Sequence, residues 1–277
     1  MPSSRNSTPA TDHPSNVPQA SAEPKTRNRQ TAAGNKTCNR EAATESKARS
    51  QQASVGSKTC SQQAVIHQVS GNAPSNVDYE AVYRDARKKL EQRLTGFRLL
   101  HSISVSDIAA LMANVYGVDF EQARIAGLLH DWDKNYTDDE LLARAADFGI
   151  TLPEQHLATA ALLHAQTGAC AVAREYPELP ACIIQAIARH TSAAPDMSDL
   201  DMIIYSADMI EPLRSQSSLQ PLRSIAGKVP LEDLFLKCFQ TTLEHLIRRH
   251  RFIHPDSLLV WNTYMARARN REAGTTA

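Results

Sequence analysis

From Asp78 onward, apolar residues in this 277-residue chain recur every three to four positions, and no stretch alternates apolar with polar. A period near 3.6 commits a segment to helix, and without period-two segments there is no sheet to build. Residues 78–94 are charged and amphipathic, with Val82, Ala86 and Leu90 on one stripe. His101, Val105, Ile108, Met112 and Val115 continue one helical face in the next segment. Gly117 suits the end of that helix, and Asp119 caps the following one, from Phe120 to His130. Ala123, Ala126, Gly127 and His130 share its buried side. One long helix is predicted over 154–175, with Leu157, Ala161, His164, Gly168 and Ala171 in line. Pro180 suits position N1 of the next, in which Ile183, Ile187 and His190 align. Ser198 or Asp199 caps a helix running through Asp208 to about Leu213, and two more cover 231–250 and 255–269. The fold class is all-α, with residues 77–277 forming one helical-bundle domain.

Residues 1–76 are different. They are rich in Ser, Thr, Asn, Gln, Ala and Pro, and beyond Ala their apolar content is nearly limited to Val17, Val55, Val65, Ile66 and Val69. Such a segment cannot offset its ordering entropy by burial and is expected to be a disordered, low-complexity tail. Its repeat, 34–38 and 56–60, contains Lys-Thr pairs but not the spacing of a phosphate-binding loop. The tail holds nine Lys/Arg against four Asp/Glu, so the remainder of this formally neutral chain carries five excess negative charges. The neutral whole-chain balance predicts no nucleic-acid partner and no anionic membrane surface, and the basic tail, which could touch acidic partners weakly, reads as solvated.

No apolar run approaches the roughly 20 residues that span a bilayer, and no apolar leader follows Met1, so a cytoplasmic location is expected. Five cysteines without paired CxxC spacing argue against a disulfide scaffold or a zinc–thiolate site; Cys170 and Cys182 read as small core residues.

The chemistry enters through histidine. His101, His130, His164 and His190 sit on the apolar stripes of four different predicted helices, accompanied by Asp131 and Asp208. One such histidine is usually a hydrogen-bonded core residue. Four of them, with two carboxylates that are costly to bury alone, are better explained by a shared metal ion. Imidazole with carboxylate suits iron, manganese or zinc, and ligands drawn from separate helices are the rule inside helical bundles.

The ordered set reads Arg98-x-x-His101, Gly127-Leu128-Leu129-His130-Asp131-x-x-Lys134, Leu162-Leu163-His164, Ala186-Ile187-x-x-His190-Thr191 and Ala207-Asp208-x-Ile210-Glu211-Pro212-x-Arg214. From Tyr83 to Arg214 this series resembles the HD-domain superfamily, and within it the YqeK-type symmetrical diadenosine tetraphosphate hydrolases. The resemblance implies an iron-dependent helical domain that splits diadenosine tetraphosphate into two ADP. It implies His101, His130, Asp131 and Asp208 as metal ligands. Arg98, Lys134, His164, His190, Thr191 and Arg214 would surround the phosphates, with Asp131, His164 and His190 catalytic. Manganese or another divalent metal is compatible, and His164 with His190 could instead hold a second ion. Two features depart from the family. Ser192-Ala193-Ala194 stands where Thr or Ser and then Gly usually follow His190-Thr191. Trp132 and Asp133 replace an aliphatic start after Asp131, which would alter the pocket rim.

A metal in such a site activates water and polarises a phosphoryl oxygen, while Arg98, Lys134 and Arg214 neutralise the phosphate chain. Arg214 has a second reading, as a charge complementing a helix C-terminus. The expected partners are a dinucleoside polyphosphate and its ADP product; a homodimer stays open. Two alternatives remain: another HD nucleotide phosphohydrolase or phosphodiesterase, and a catalytically silent nucleotide-sensing domain. His156, His245, His250 and His254 lie outside the ligand stripes. Arg248-Arg249-His250-Arg251 reads as a solvated face, and Trp261 and Tyr264 as packing residues.

Overall fold

The computed structural model describes residues 77–275, so the expectation for the 1–76 tail lies outside the described residues. Among them there are ten α-helices and two 3-10 segments, and no strand. The first three helices are α1 (Tyr79–Arg93), α2 (Gly96–Tyr116) and α3 (Phe120–Leu129). Asp78 caps α1 through a bond from Ala81 N, and Asp119 caps α3 through one from Gln122 N. Gly117 ends α2 in the left-handed region at φ 74°, a conformation that costs other residues a Cβ clash.

α3 is the hub. It lies along α2 and also touches α1, α6 (Ala181–Arg189) and α7 (Asp199–Ile210). Its Ile125, Leu128 and Leu129 meet Ile183, Ile187 and Ile203 in a core from which water is excluded. Each fully buried aliphatic side chain of this kind contributes about 1.5–3 kcal/mol. α2 and α3 approach closely because Gly127 presents no side chain to the α2 backbone. Ser106 Oγ closes the contact by donating to Arg124 O at 2.7 Å.

Several expectations need correction. The long 154–175 helix is instead a 3-10 segment, Glu154–Leu163, followed by α5 (His164–Glu175), with non-helical angles at Thr159. The kink at Thr159 resets the inward face, so His156, Ala160 and Leu163 are buried and Leu157 and Ala161 are exposed. Between Lys134 and Glu154 the sequence reading assigned no helix, yet α4 (Asp138–Asp147) is present. It starts with a Thr137–Glu140 capping box, a signal that Thr-x-x-Glu carries in the sequence. α7 stops at Ile210, its start fixed by a Ser198–Asp201 capping box. Pro180 is the cap residue before α6 rather than its first position. α2 is long and apolar enough to cross a membrane by length and composition, contrary to the sequence reading. Its His101, Ser102 and Ser106 are buried within the domain.

A short 3-10 turn, Ser217–Leu219, and α8 (Gln220–Ile225) lead to α9 (Leu231–Arg248) and α10 (Ser257–Thr275). Phe235 and Phe239 of α9 pack with Tyr205 and Tyr264. Tyr264 is fully buried, and its hydroxyl accepts from Met197 N at 3.1 Å. Tyr264 is therefore a packing residue, as the sequence reading held.

Candidate metal centre

His130 and His190 each follow the last residue of a helix, and His164 stands where the 3-10 segment passes into α5. The last carbonyls of a helix lack intrahelical partners. The His130 and His190 rings each fill one, His130 Nδ1 bonding Gly127 O at 2.8 Å and His190 Nδ1 bonding Ile187 O at 2.7 Å, and at the junction His164 Nδ1 bonds Ala161 O at 2.6 Å. His101, inside α2, bonds Glu211 Oε1 through Nδ1 at 3.0 Å. Glu211 is itself buried and held by Leu213 N at 2.7 Å. A carbonyl or carboxylate at Nδ1 fixes the proton there and leaves the Nε2 lone pair exposed.

All four Nε2 atoms converge on two carboxylates. Asp131 Oδ2 lies 3.5 Å from His130 and 3.9 Å from His101. Asp131 Oδ1 lies 3.2 Å from His164 and 3.5 Å from His190. Asp208 Oδ1 lies 2.9 Å from His101 and 3.8 Å from His130. Buried lone pairs facing the buried Asp131 carboxylate and the half-buried Asp208 repel unless a cation lies between them. His130 Nε2 is buried without a hydrogen-bond partner among the described residues. The donor set of imidazole nitrogens and carboxylate oxygens fits a divalent metal. His101, His130 and Asp131 form one candidate ligand group, and Asp131, His164 and His190 a second. Asp131 belongs to both.

Electrostatics match this geometry. Burial opposes the charge on Asp131, but His130, with bonds from His164 and His190, holds its carboxyl well below the usual range. Burial opposes Asp208 as well, and the Arg214 guanidinium outweighs it. Burial lowers His190 to about 4. For His130, burial is overcome by Asp131, and the pKa rises.

A cleft of about 520 Å³ opens beside the centre, lined by Lys134, His164, His190, Thr191, Asp208 and Arg214. Lys134 Nζ stands 3.1 Å from His164 Nε2 and 3.6 Å from Asp131 Oδ1. Arg214 grips Asp208 through both side chain and backbone. Thr191 Oγ1 donates to Leu162 O at 3.3 Å. The far wall comes from α9 and includes His245 and Arg248. The sequence reading set both aside as outlying or solvated. Their i, i+3 spacing puts them on one helix face, but only tertiary packing turns that face to the cleft.

Three expected substrate contacts lie elsewhere. Trp132 is in the core, edge-on to Tyr176 and beneath the Arg93 guanidinium. Asp133 is fully buried between Arg93 at 3.1 Å and Arg144 at 2.9 Å. Neither side chain forms the pocket rim, because the turn after Asp131 carries them away from the cleft and onto α1 and α4. Arg98 donates to Lys134 O and to Asn135 Oδ1; it fixes the loop that presents Lys134 and does not line the cleft. The Ser192-Ala193-Ala194 departure has a local cost. Ala193 adopts φ 59°, the left-handed conformation that glycine takes freely.

Residues 98–213 match the HD domain model. The symmetrical bis(5'-nucleosyl)-tetraphosphatase of Bacillus subtilis is 31% identical over 179 residues, covering 62% of this chain and 92% of that protein. The enzyme of that name from Halalkalibacterium halodurans is also 31% identical, covering 64% and 94%. Among solved structures, a protein of Clostridium acetobutylicum described as a predicted HD superfamily hydrolase involved in NAD metabolism superposes with a TM-score of 0.63. It is 31% identical, with 67% of this chain and 97% of that one covered. A chain that carries the HD histidines and aspartates on converging helix ends, and spans nearly the whole length of these relatives, belongs to the HD-domain hydrolases, in the family of the symmetrical bis(5'-nucleosyl)-tetraphosphatases.

Proposed function

We propose that the chain hydrolyses diadenosine tetraphosphate symmetrically into two ADP, using a divalent metal that is iron by family resemblance. The observation that carries this reading is the convergence of four Nε2 lone pairs on Asp131 and Asp208 at the floor of a cation-lined cleft. His101, His130, Asp208 and one oxygen of Asp131 would hold one ion. His164, His190 and the other oxygen of Asp131 would hold a second. Bound there, the metal supplies Lewis-acid chemistry: it activates water and polarises a phosphoryl oxygen.

The rest falls to the chain's own groups. Glu211 keeps His101 turned toward the carboxylates. Lys134 and Arg214 place positive charge along the cleft, where a tetraphosphate would lie, and phosphoryl transfer depends mainly on such positioning and neutralisation. Burial keeps His190 neutral near pH 7, so it serves as a lone-pair donor rather than as the acid that protonates the departing ADP. His245 and Arg248 extend the polar wall away from the centre, toward the second nucleotide.

Anaerobic purification with elemental analysis, followed by chromatography of the products from diadenosine tetraphosphate, tests the reading. ADP as sole nucleotide product is expected, and an ATP-plus-AMP pair overturns symmetric cleavage. Asp131→Ala should lose bound metal and turnover together; unchanged metal content defeats the ligand assignment.

A further inference from the structure

A second histidine pair is buried outside the metal centre. His156 lies in the 3-10 segment, and His254 in the link between α9 and α10. They are 7% and 8% exposed, and their rings meet edge to face with centroids 4.6 Å apart. Asp256 brings a carboxylate oxygen to 4.0 Å from His254 Nδ1. One nitrogen of each ring and one Asp256 oxygen lie within 4.8 Å of one another. Among the described residues, no hydrogen bond reaches a ring nitrogen of His156. His254 Nδ1 accepts a single long one, from Asp256 N at 3.3 Å.

We propose that His156, His254 and Asp256 form a zinc site. Two imidazoles and a carboxylate are a zinc donor set, and three protein ligands leave the fourth tetrahedral position to water. Zinc bonds of about 2.0–2.1 Å put tetrahedral ligands about 3.4 Å apart. The Asp256 side chain, about a third exposed at 32%, would turn its carboxylate to reach that separation. A packed pair of neutral imidazoles uses apolar contact alone, whereas a shared cation also uses the ring nitrogens and the Asp256 carboxylate. The site shares no residue with the catalytic centre. It joins the link into α10 to the segment that ends at His164, and so ties the C-terminal helix to the element that presents a catalytic histidine.

The test compares the full-length protein with His254→Gln and Asp256→Asn. Each is loaded with zinc alone, dialysed and analysed for zinc per chain, with far-ultraviolet circular dichroism as the check on folding. The expected result is one zinc fewer per chain in His254→Gln and at least tenfold weaker zinc binding in Asp256→Asn. The rise in melting temperature that zinc gives the parent should shrink in both. Cobalt loading should give the parent a tetrahedral absorption band that His254→Gln lacks. Equal zinc content in parent and His254→Gln overturns the proposal. If His254→Gln does not fold, Asp256→Asn decides, and parental zinc affinity in that surface variant overturns it.

Discussion

Replacing Gly127 with alanine sets two effects of opposite sign against each other. Gly127 lies inside α3, where alanine is favoured by about 1 kcal/mol on helix propensity alone. The α2 backbone occupies the space the new methyl needs. An added Cβ would stand 2.8 Å from Ser106 Cα, 3.0 Å from Ser106 N and 3.0 Å from Val105 O. Carbon–carbon contact is comfortable at about 3.5–4.0 Å, so the helices must separate by something on the order of 1 Å. None of the three atoms is the tip of a flexible side chain, and the backbone itself has to give. Overpacking of this kind costs about 1–3 kcal/mol, and the separation also loosens the contacts of Ile125 and Leu128. The clash outweighs the propensity gain, and a net loss of about 1–2 kcal/mol is expected. The same displacement reaches the metal centre, since His130 follows Gly127 by one turn and His101 precedes Ser106 on α2. Their ring centroids are 5.3 Å apart, and a ligand set needs placement within about 0.5 Å. Denaturant unfolding of the metal-stripped protein and metal titration of the folded one measure the two consequences. A Gly127→Ala variant at least as stable as the parent, with parental metal affinity, refutes the reasoning.

Lys134→Met keeps most of the stem and removes the charge 3.6 Å from Asp131. Turnover should fall about 10²-fold while metal content and melting temperature stay near parental, as expected for one preorganised charged contact; parental kcat and KM would refute a phosphate role. Ala193→Gly removes the left-handed strain at φ 59°. It should raise stability by about 0.5–1 kcal/mol after the added backbone entropy is deducted, and urea unfolding that shows a loss contradicts the strain argument. In the metal-stripped protein, burial lowers His190 from 6.5 to about 4, so the unfolded chain takes up that proton first. Stability present above pH 6.5 then declines as pH falls toward 4, by about 3 kcal/mol at most. His130, raised by Asp131 against its burial, contributes in full below 6.5 and does not flatten this window. His190→Asn should reduce the slope of unfolding free energy between pH 6.5 and 4.5, and an unchanged slope rules out His190 as its source.

The histidines were legible in sequence because a 3.6 period marks the face that packs, although Val115 and Leu157 on the same predicted stripes are exposed. His101, His130, His164 and His190 are all buried, as are Asp131 and the motif residue Glu211. Direction was not legible. Within one turn after α3, Asp131 faces the centre while Trp132 and Asp133 face the opposite side, and adjacency in a motif assigns all three to the same pocket. Arg98 shows the same limit: its spacing from His101 puts it near the centre, yet the loop carbonyl of Lys134 claims its guanidinium. His245 and Arg248 failed for the converse reason, since nothing local distinguishes a face that meets water from one that meets the cleft.

What the period could not reveal is how the rings are aimed. His130 and His190 end a helix, where a carbonyl three residues back is left over from the ladder, and His164 takes the equivalent carbonyl where the 3-10 segment passes into α5. The ring takes that carbonyl with Nδ1 and must then present Nε2 outward. Helix termination thus does two things at once: it satisfies an orphan acceptor and it points a ligand. A histidine placed one turn earlier on the same stripe would be as buried, but its neighbouring carbonyls would already be bonded and its ring would be left to find an orientation by packing alone. Position at a helix end aims His130 and His190, as the buried carboxylate of Glu211 aims His101 from within α2.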